Sequence, residues 1–168
     1  MSNITTVILA AGRSKRFKAK TSKLIYPLCG LPIISHVYSV AKKISGKKVV
    51  VICNKENINE LKSILKDCVF VIQNQQRGTA DAIEQAQNKI NSKNVLVLFG
   101  DTPLITLSSI KKLIKKFLFS KAKASLIAFR TQKPFGYGRL IIKNNVFEEI
   151  IEEINLNIYQ KKINLCNS

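Results

Sequence analysis

A chain of 168 residues with 46% apolar composition can bury one substantial core, which excludes low-complexity disorder and predicts a single domain or a large piece of one. No apolar run approaches the roughly 20 residues of a spanning helix, and the stretch Thr6 to Ala11 carries its positive charges after it, unlike a signal peptide; a soluble, cytoplasmic protein without a membrane partner is expected. The formal charge of +18 would ordinarily point to nucleic acid, but only five of the 28 basic residues are arginine and the lysines are scattered along the whole chain, so a compositional habit is the expected cause and no specific nucleic-acid partner is expected.

Taken in chain order, short β-branched apolar runs alternate with longer helix-period segments. Thr5 to Leu9 reads as the first strand, followed by a helix over Pro32 to Ile44 in which Pro32 suits a first turn. Lys48 to Cys53 is the second strand, Asn57 to Leu65 a helix with Asn57 as N-cap, and Val69 to Ile72 the third strand. Thr79 to Ile90 reads as a helix, Asn94 to Phe99 as the fourth strand, Ser108 to Phe119 as a helix capped by Ser108, and Ala124 to Phe129 as a fifth strand. Val95 to Phe99 lacks polar alternation, which is what a parallel strand covered on both faces requires. After Arg130 the pattern changes: Asn144-Asn145 between two apolar runs reads as the turn of a hairpin. The fold class expected is α/β, a doubly wound, mostly parallel Rossmann-like sheet with a C-terminal β-hairpin region. Ligands of such sheets bind at the carboxyl ends of the strands.

Those ends hold the candidate chemistry. The first strand closes on Leu9-Ala-Ala-Gly12, followed by Arg13, Ser14, Lys15, Arg16 and, later, Lys23. Small residues let a ligand lie against backbone, and the cations can neutralise phosphates; a tight turn with a solvated basic loop fits the same letters. No G-x-x-x-x-G-K-[ST] is present, and Ser14 stands where a dinucleotide fingerprint needs its second glycine. The third strand leads into Gln73-Asn-Gln-Gln76-Arg-Gly78-Thr79, whose amides suit the edge of a nucleobase, or which is a polar loop with a threonine N-cap. Asp81 and Glu84 read as helix-dipole charges. Asp101, directly after the fourth strand in Gly100-Asp101-Thr-Pro-Leu, is either a magnesium ligand or a turn cap. His36 sits on the apolar face of the first helix and reads as structural. The cysteines (Cys29, Cys53, Cys68, Cys166) form no C-x-x-C pair, and with one histidine there is no zinc set; they read as small core residues, with Cys29 beside Gly30 able to approach a ligand.

Together, Leu9-Ala-Ala-Gly12 with Arg16 and Lys23, Gln73 with Gln76-x-Gly-Thr79, Gly100-Asp101-x-Pro-Leu, Gly136-Tyr-Gly-Arg-Leu, Ile151-Glu152 and Cys166-Asn167-Ser168 resemble the uridylyltransferase domain of the bacterial bifunctional N-acetylglucosamine-1-phosphate uridylyltransferase/glucosamine-1-phosphate acetyltransferases. The resemblance runs from Thr5 to Ser168. It implies formation of UDP-N-acetylglucosamine and pyrophosphate from UTP and N-acetylglucosamine 1-phosphate, for cell-envelope precursors such as peptidoglycan and lipopolysaccharide, with Mg2+ as cofactor. It further implies that Leu9, Ala11, Gly12, Lys23, Gln73 and Gly78 bind the nucleotide, that Arg16, Lys23 and Asp101 serve catalysis, that Asp101 holds the metal, and that Thr79, Gly138, Glu152 and Asn167 hold the sugar.

Two departures qualify the resemblance. Arg13-Ser14-Lys15-Arg16 is also similar to the loop of molybdenum-cofactor cytidylyltransferases. The family's domain continues past Ser168 with a second, asparagine metal ligand and then an acetyltransferase β-helix, so the expectation is residues 1–168 of an incomplete nucleotidyltransferase domain, from a parent that forms oligomers. An inactive nucleotide-binding fragment and a basic nucleic-acid-binding module are the competing readings.

Overall fold

The structure, a computed structural model, describes residues 4–12, 22–75 and 77–167. In chain order the elements are β1 (Ile4–Leu9), a 3-10 turn (Lys23–Ile25), β2 (Pro27–Leu28), β3 (Leu31–Pro32), α1 (Ile33–Ser45), β4 (Val49–Cys53), α2 (Ile58–Ile64), β5 (Val69–Ile72), α3 (Thr79–Gln85), a 3-10 turn (Gln87–Lys89), β6 (Asn94–Phe99), α4 (Leu107–Phe119), β7 (Ala128–Arg130), β8 (Arg139–Lys143), β9 (Val146–Ile151), two further 3-10 turns (Glu153–Asn155, Gln160–Lys162) and β10 (Leu165–Asn167). They form two compact units, Met1–Ser109 and Ile110–Ser168.

The first unit is built on a parallel sheet of order β5-β4-β1-β6. The chain steps outward from β1 to β4 to β5, then returns to add β6 on the opposite side of β1. That reversal opens a crevice between the carboxyl ends of β1 and β6, the topological switch point of an open α/β sheet. Adjacent strand residues point to opposite faces. On one face Thr6 Oγ1 lies 2.6 Å from Ser45 Oγ of α1. On the other, Val7, Val50 and Ile52 pack with Ala82 of α3 and Ala86 just beyond it. Helices therefore cover both faces, and β4 is buried along its whole length, as its unbroken Val-Val-Val-Ile-Cys requires.

Five expectations are corrected. In β6, Leu96 and Leu98 are buried while Val95 and Phe99 are about two-fifths exposed (42% and 39%); β6 is the edge strand of the sheet, with a neighbour on one side only. Ala124 to Phe129 is not a fifth parallel strand; Lys123 to Leu126 are exposed, and only Ala128–Arg130 pairs, antiparallel, with β10. Asn57 stands at the N-cap of α2 without capping it, and Ser108 lies inside the first turn of α4, where the Ser109 amide donates to Thr106 Oγ1 at 3.1 Å. The helix from Thr79 stops at Gln85 and continues only as a 3-10 turn.

The second unit is an antiparallel sheet of order β7-β10-β8-β9. Asn144 and Asn145 have φ of 50° and 61°, the left-handed pair a two-residue hairpin needs. Arg139, 1% exposed, holds this unit together: Nη2 meets Glu153 Oε2 at 2.9 Å, Nε donates to the Ile163 carbonyl at 2.9 Å, and the guanidinium also donates to the Tyr137 carbonyl. Among the described residues no helix is long and apolar enough to cross a membrane.

Candidate functional site

The switch point of the first unit is a cleft of about 300 Å³, near the lower end of the range for small-molecule sites. Leu9, Ala10, Ala11 and Gly12 form one wall, Gln73, Gly78 and Thr79 another, and Phe99 and Asp101 the third, with Leu24, Ile52 and Ala82 also lining it. Leu9, Ala11, Gly12, Gln73, Gly78, Thr79 and Asp101 are thus brought together, although they come from three separate strand ends. The walls are tied by backbone bonds: Ala10 donates to Ile52 at 2.7 Å, Gly100 to Leu9 at 2.9 Å and Gln73 to Cys53 at 2.8 Å. Gly100 is needed where it stands, because a Cβ there would sit 3.0 Å from the Leu9 carbonyl oxygen.

Lys23, in its 3-10 turn, does not line the cleft but pairs with Asp101, which does. Ser22 caps the turn by accepting from the Leu24 amide at 3.4 Å, and Leu24 is buried beneath. Lys23 Nζ then lies 3.0 Å from Asp101 Oδ2, a cation and a carboxylate meeting across 78 residues of chain. Both side chains are partly exposed, 37% and 46%, so water and incoming ligands reach them. Arg16, with Arg13, Ser14, Lys15 and Gln76, lies outside the described residues. Cys29 stands in the β2–β3 turn with φ 50° and does not line the cleft; His36 Nε2 is engaged with the Leu28 carbonyl at 2.9 Å, a structural bond.

Two sets of residues act on the walls without a clear sequence signal. Asn57, 3% exposed, donates Nδ2 to the Ala10 carbonyl at 2.8 Å, and Asn54 donates Nδ2 to the Ala11 carbonyl at 3.1 Å. The two asparagines brace each other, Asn54 Oδ1 accepting from the Asn57 amide at 2.9 Å and Asn57 Oδ1 from the Asn54 amide at 3.0 Å. The loop after β4 therefore fixes the peptide planes of the loop after β1. Asp81 stands in the first turn of α3, as a dipole charge would, and also accepts from Gln73 Nε2 at 2.7 Å and Gln85 Nε2 at 3.0 Å.

In the second unit the other sugar candidates flank one stretch of paired strand: Arg139 pairs with Ile151 and with Cys166, and Gly138, Glu152 and Asn167 are the residues adjacent to these in sequence. Asn167 donates its amide to the Gly138 carbonyl at 3.2 Å, and a Cβ on Gly138 would lie 2.9 Å from Asn167 Oδ1. Glycine at 138 is what lets the Asn167 amide group lie across the strand. Thr79, grouped with these three on sequence grounds, lines the cleft of the first unit.

Among the described residues no group of three or more His, Cys, Asp or Glu could enclose a metal. Burial pushes the Cys53 thiol up to about 11, and burial also raises the Cys68 thiol, so neither is an activated nucleophile.

Comparison with known proteins agrees with this geometry. The chain is 38% identical over its full length to the "Bifunctional protein GlmU" of Campylobacter fetus subsp. fetus and 40% identical over 95% of its length to that of Buchnera aphidicola subsp. Schizaphis graminum. It spans 38% and 35% of those two curated relatives. A Bacillus anthracis structure, provisionally described as a glucose-1-phosphate thymidylyltransferase in complex with a sucrose, superposes with a TM-score of 0.85 over 98% of this chain and 69% of that one; at 20% identity this likeness concerns the fold. Residues 6–154 match the model of the MobA-like NTP transferase domain, and the chain belongs to that family.

Proposed function

We propose that this chain carries the nucleotidyl-transfer site of a sugar-1-phosphate nucleotidyltransferase that makes UDP-N-acetylglucosamine and pyrophosphate from UTP and N-acetylglucosamine 1-phosphate. The observation that carries the reading is the Lys23–Asp101 pair at the mouth of a switch-point cleft walled by Leu9 to Gly12 and by Gln73 to Thr79. A phosphate oxygen of the sugar phosphate attacks the α-phosphorus of UTP, a new P–O bond forms, the bond to the β-phosphate breaks, and pyrophosphate leaves with its electron pair. No covalent intermediate with the protein is needed, so the site has to align two polyanions and screen their charge.

Each residue has a part in that task. The braced loop from Leu9 to Gly12 offers close backbone approach to the nucleotide. Gln73 and Gly78 face the base. Lys23 exchanges its carboxylate partner for phosphate, which releases Asp101. Asp101 is a hard oxygen donor that suits Mg2+, which takes one or two protein carboxylates with the rest of its shell from phosphates and water. When bound there, the metal supplies positive charge to the phosphates of the transition state. Gly138, Glu152 and Asn167 suit the hydroxyl and amide groups of the sugar.

The test is pyrophosphate release from UTP and N-acetylglucosamine 1-phosphate with Mg2+, using CTP, ATP and GTP as controls. UTP-dependent release that falls roughly 100-fold or more in both Lys23→Ala and Asp101→Ala supports the reading. Failure to bind UTP overturns it. Binding without turnover assigns this chain nucleotide recognition alone.

A further inference from the structure

We infer that Asp81 sets the nucleobase preference of the cleft by fixing the amide of Gln73 with its oxygen available to the ligand. The inference rests on the nucleotide-binding reading above and deepens it.

Gln73 lies at the end of β5, is 6% exposed, and lines the cleft. A primary amide offers either two N–H donors or a carbonyl acceptor to a neighbour, and an unconstrained one can turn over to present either. Here the choice is forced. Asp81 presents a carboxylate, which only accepts, and its Oδ2 is 2.7 Å from the terminal Gln73 atom. The Gly78 carbonyl, also only an acceptor, is 3.4 Å from that same atom. The atom between two acceptors has to be the NH2 group, whichever way the amide is drawn, and both of its hydrogens are then engaged. Gln85, one helical turn from Asp81, donates to the same Oδ2 at 3.0 Å and holds the carboxylate in place.

The group left for a ligand is Gln73 Oε1, an acceptor. Uracil and thymine carry a ring N3–H that an acceptor satisfies. Cytosine carries an unprotonated N3 there, whose lone pair faces the Gln73 oxygen unfavourably. The cleft is thereby set for bases with a protonated ring nitrogen, and discrimination against cytosine comes from a carboxylate that touches Gln73 and not the base. A site whose buried polar group is left unpaired by the wrong ligand discriminates more strongly than one that merely loses a contact. Asp81 is in this sense a positioning residue.

The experiment measures dissociation constants of UTP and CTP by titration calorimetry for the 168-residue chain and for Asp81→Ala, Asp81→Asn and Gln73→Met. The wild-type chain is expected to prefer UTP. Asp81→Ala frees the amide to turn, so the preference for UTP, the ratio of the CTP to the UTP dissociation constant, falls about tenfold, equivalent to about 1.4 kcal/mol, mainly through tighter CTP binding. Asp81→Asn retains an acceptor oxygen and keeps the ratio within about threefold of wild type. In a Gln73→Met background, Asp81→Ala no longer changes the ratio. If Asp81→Ala does not fold by circular dichroism, Asp81→Ser, whose hydroxyl is too short to reach Gln73, carries the same test. An unchanged ratio in a folded Asp81→Ala or Asp81→Ser chain overturns the inference while leaving the nucleotide site intact. A wild-type chain that binds neither nucleotide overturns the underlying reading as well.

Discussion

Lys23 and Asp101 are each more than a third exposed, and an ion pair in that setting contributes about 0–1 kcal/mol to stability. Their value is therefore in being exchangeable, and the large loss of activity expected of Lys23→Ala comes without a matching loss of fold. Cys53 is the opposite kind of residue. It is fully buried in β4, its Sγ sits 3.5 Å from the Val71 carbonyl, and burial raises its thiol from the ordinary 9.0 to about 11. The sign follows from proton counting: between pH 9 and 11 the unfolded chain gives up this proton while the folded chain keeps it, so the unfolded state gains. Stability from Cys53 is complete below pH 9 and is lost as pH rises through 11. Melting temperature followed from pH 8 to 11 should fall above pH 9, and Cys53→Ala should flatten that fall; an equal fall in both would remove Cys53 as its source.

At the scale of elements, the walls of the cleft depend on loops that grip one another. Asn57 is buried and serves both the Ala10 carbonyl and the Asn54 amide. Asn57→Leu leaves those groups without a partner and should cost about 1–3 kcal/mol in urea unfolding, with a weaker UTP complex; unchanged stability would mean that the loop after β1 holds itself. None of this was legible in the sequence, where Asn57 reads as an N-cap, because its partners lie 47 and 3 residues away and only the fold supplies the distant one. The same is true of Asp81, whose position in a first helical turn already has a sufficient explanation. What was legible is what depends on local pattern. The unbroken apolar runs place β1, β4, β5 and β6, and Asn144-Asn145 places the hairpin. Ala124 to Phe129 misled because a mostly apolar composition says that a segment can suit a strand but not which sheet takes it. The candidate site was legible in its members wherever small, polar or acidic residues follow strands. Their division was not, since Thr79 lies in the cleft of the first unit while Gly138, Glu152 and Asn167 belong to the second.

For the whole molecule this division makes the proposed roles of the two substrates separable by experiment. The cleft proposed for the nucleotide is lined by residues of Met1–Ser109, and Gly138, Glu152 and Asn167, proposed for the sugar, belong to Ile110–Ser168. A ligand that binds only folded protein stabilises it by an amount set by its concentration, about 2.7 kcal/mol at 100 times Kd, or roughly 5–10 °C for a chain of this size. UTP with Mg2+ should therefore raise the melting temperature, and the rise should persist in Asn167→Ala, which alters a residue of the second unit. The same variant should raise the KM for N-acetylglucosamine 1-phosphate about two- to tenfold with the KM for UTP nearly unchanged, since a lost hydrogen bond from a side chain to a neutral ligand group is worth about 0.5–1.5 kcal/mol, while the backbone bond from residue 167 to the Gly138 carbonyl is kept. The charge of +18 offers a rival source of stabilisation, because any polyanion screens self-repulsion in so basic a chain. Inorganic triphosphate separates the two. If it raises the melting temperature as much as UTP at equal concentration and equal ionic strength, the gain is charge screening; if UTP exceeds it, the difference measures what Gln73 and its neighbours contribute by holding the base.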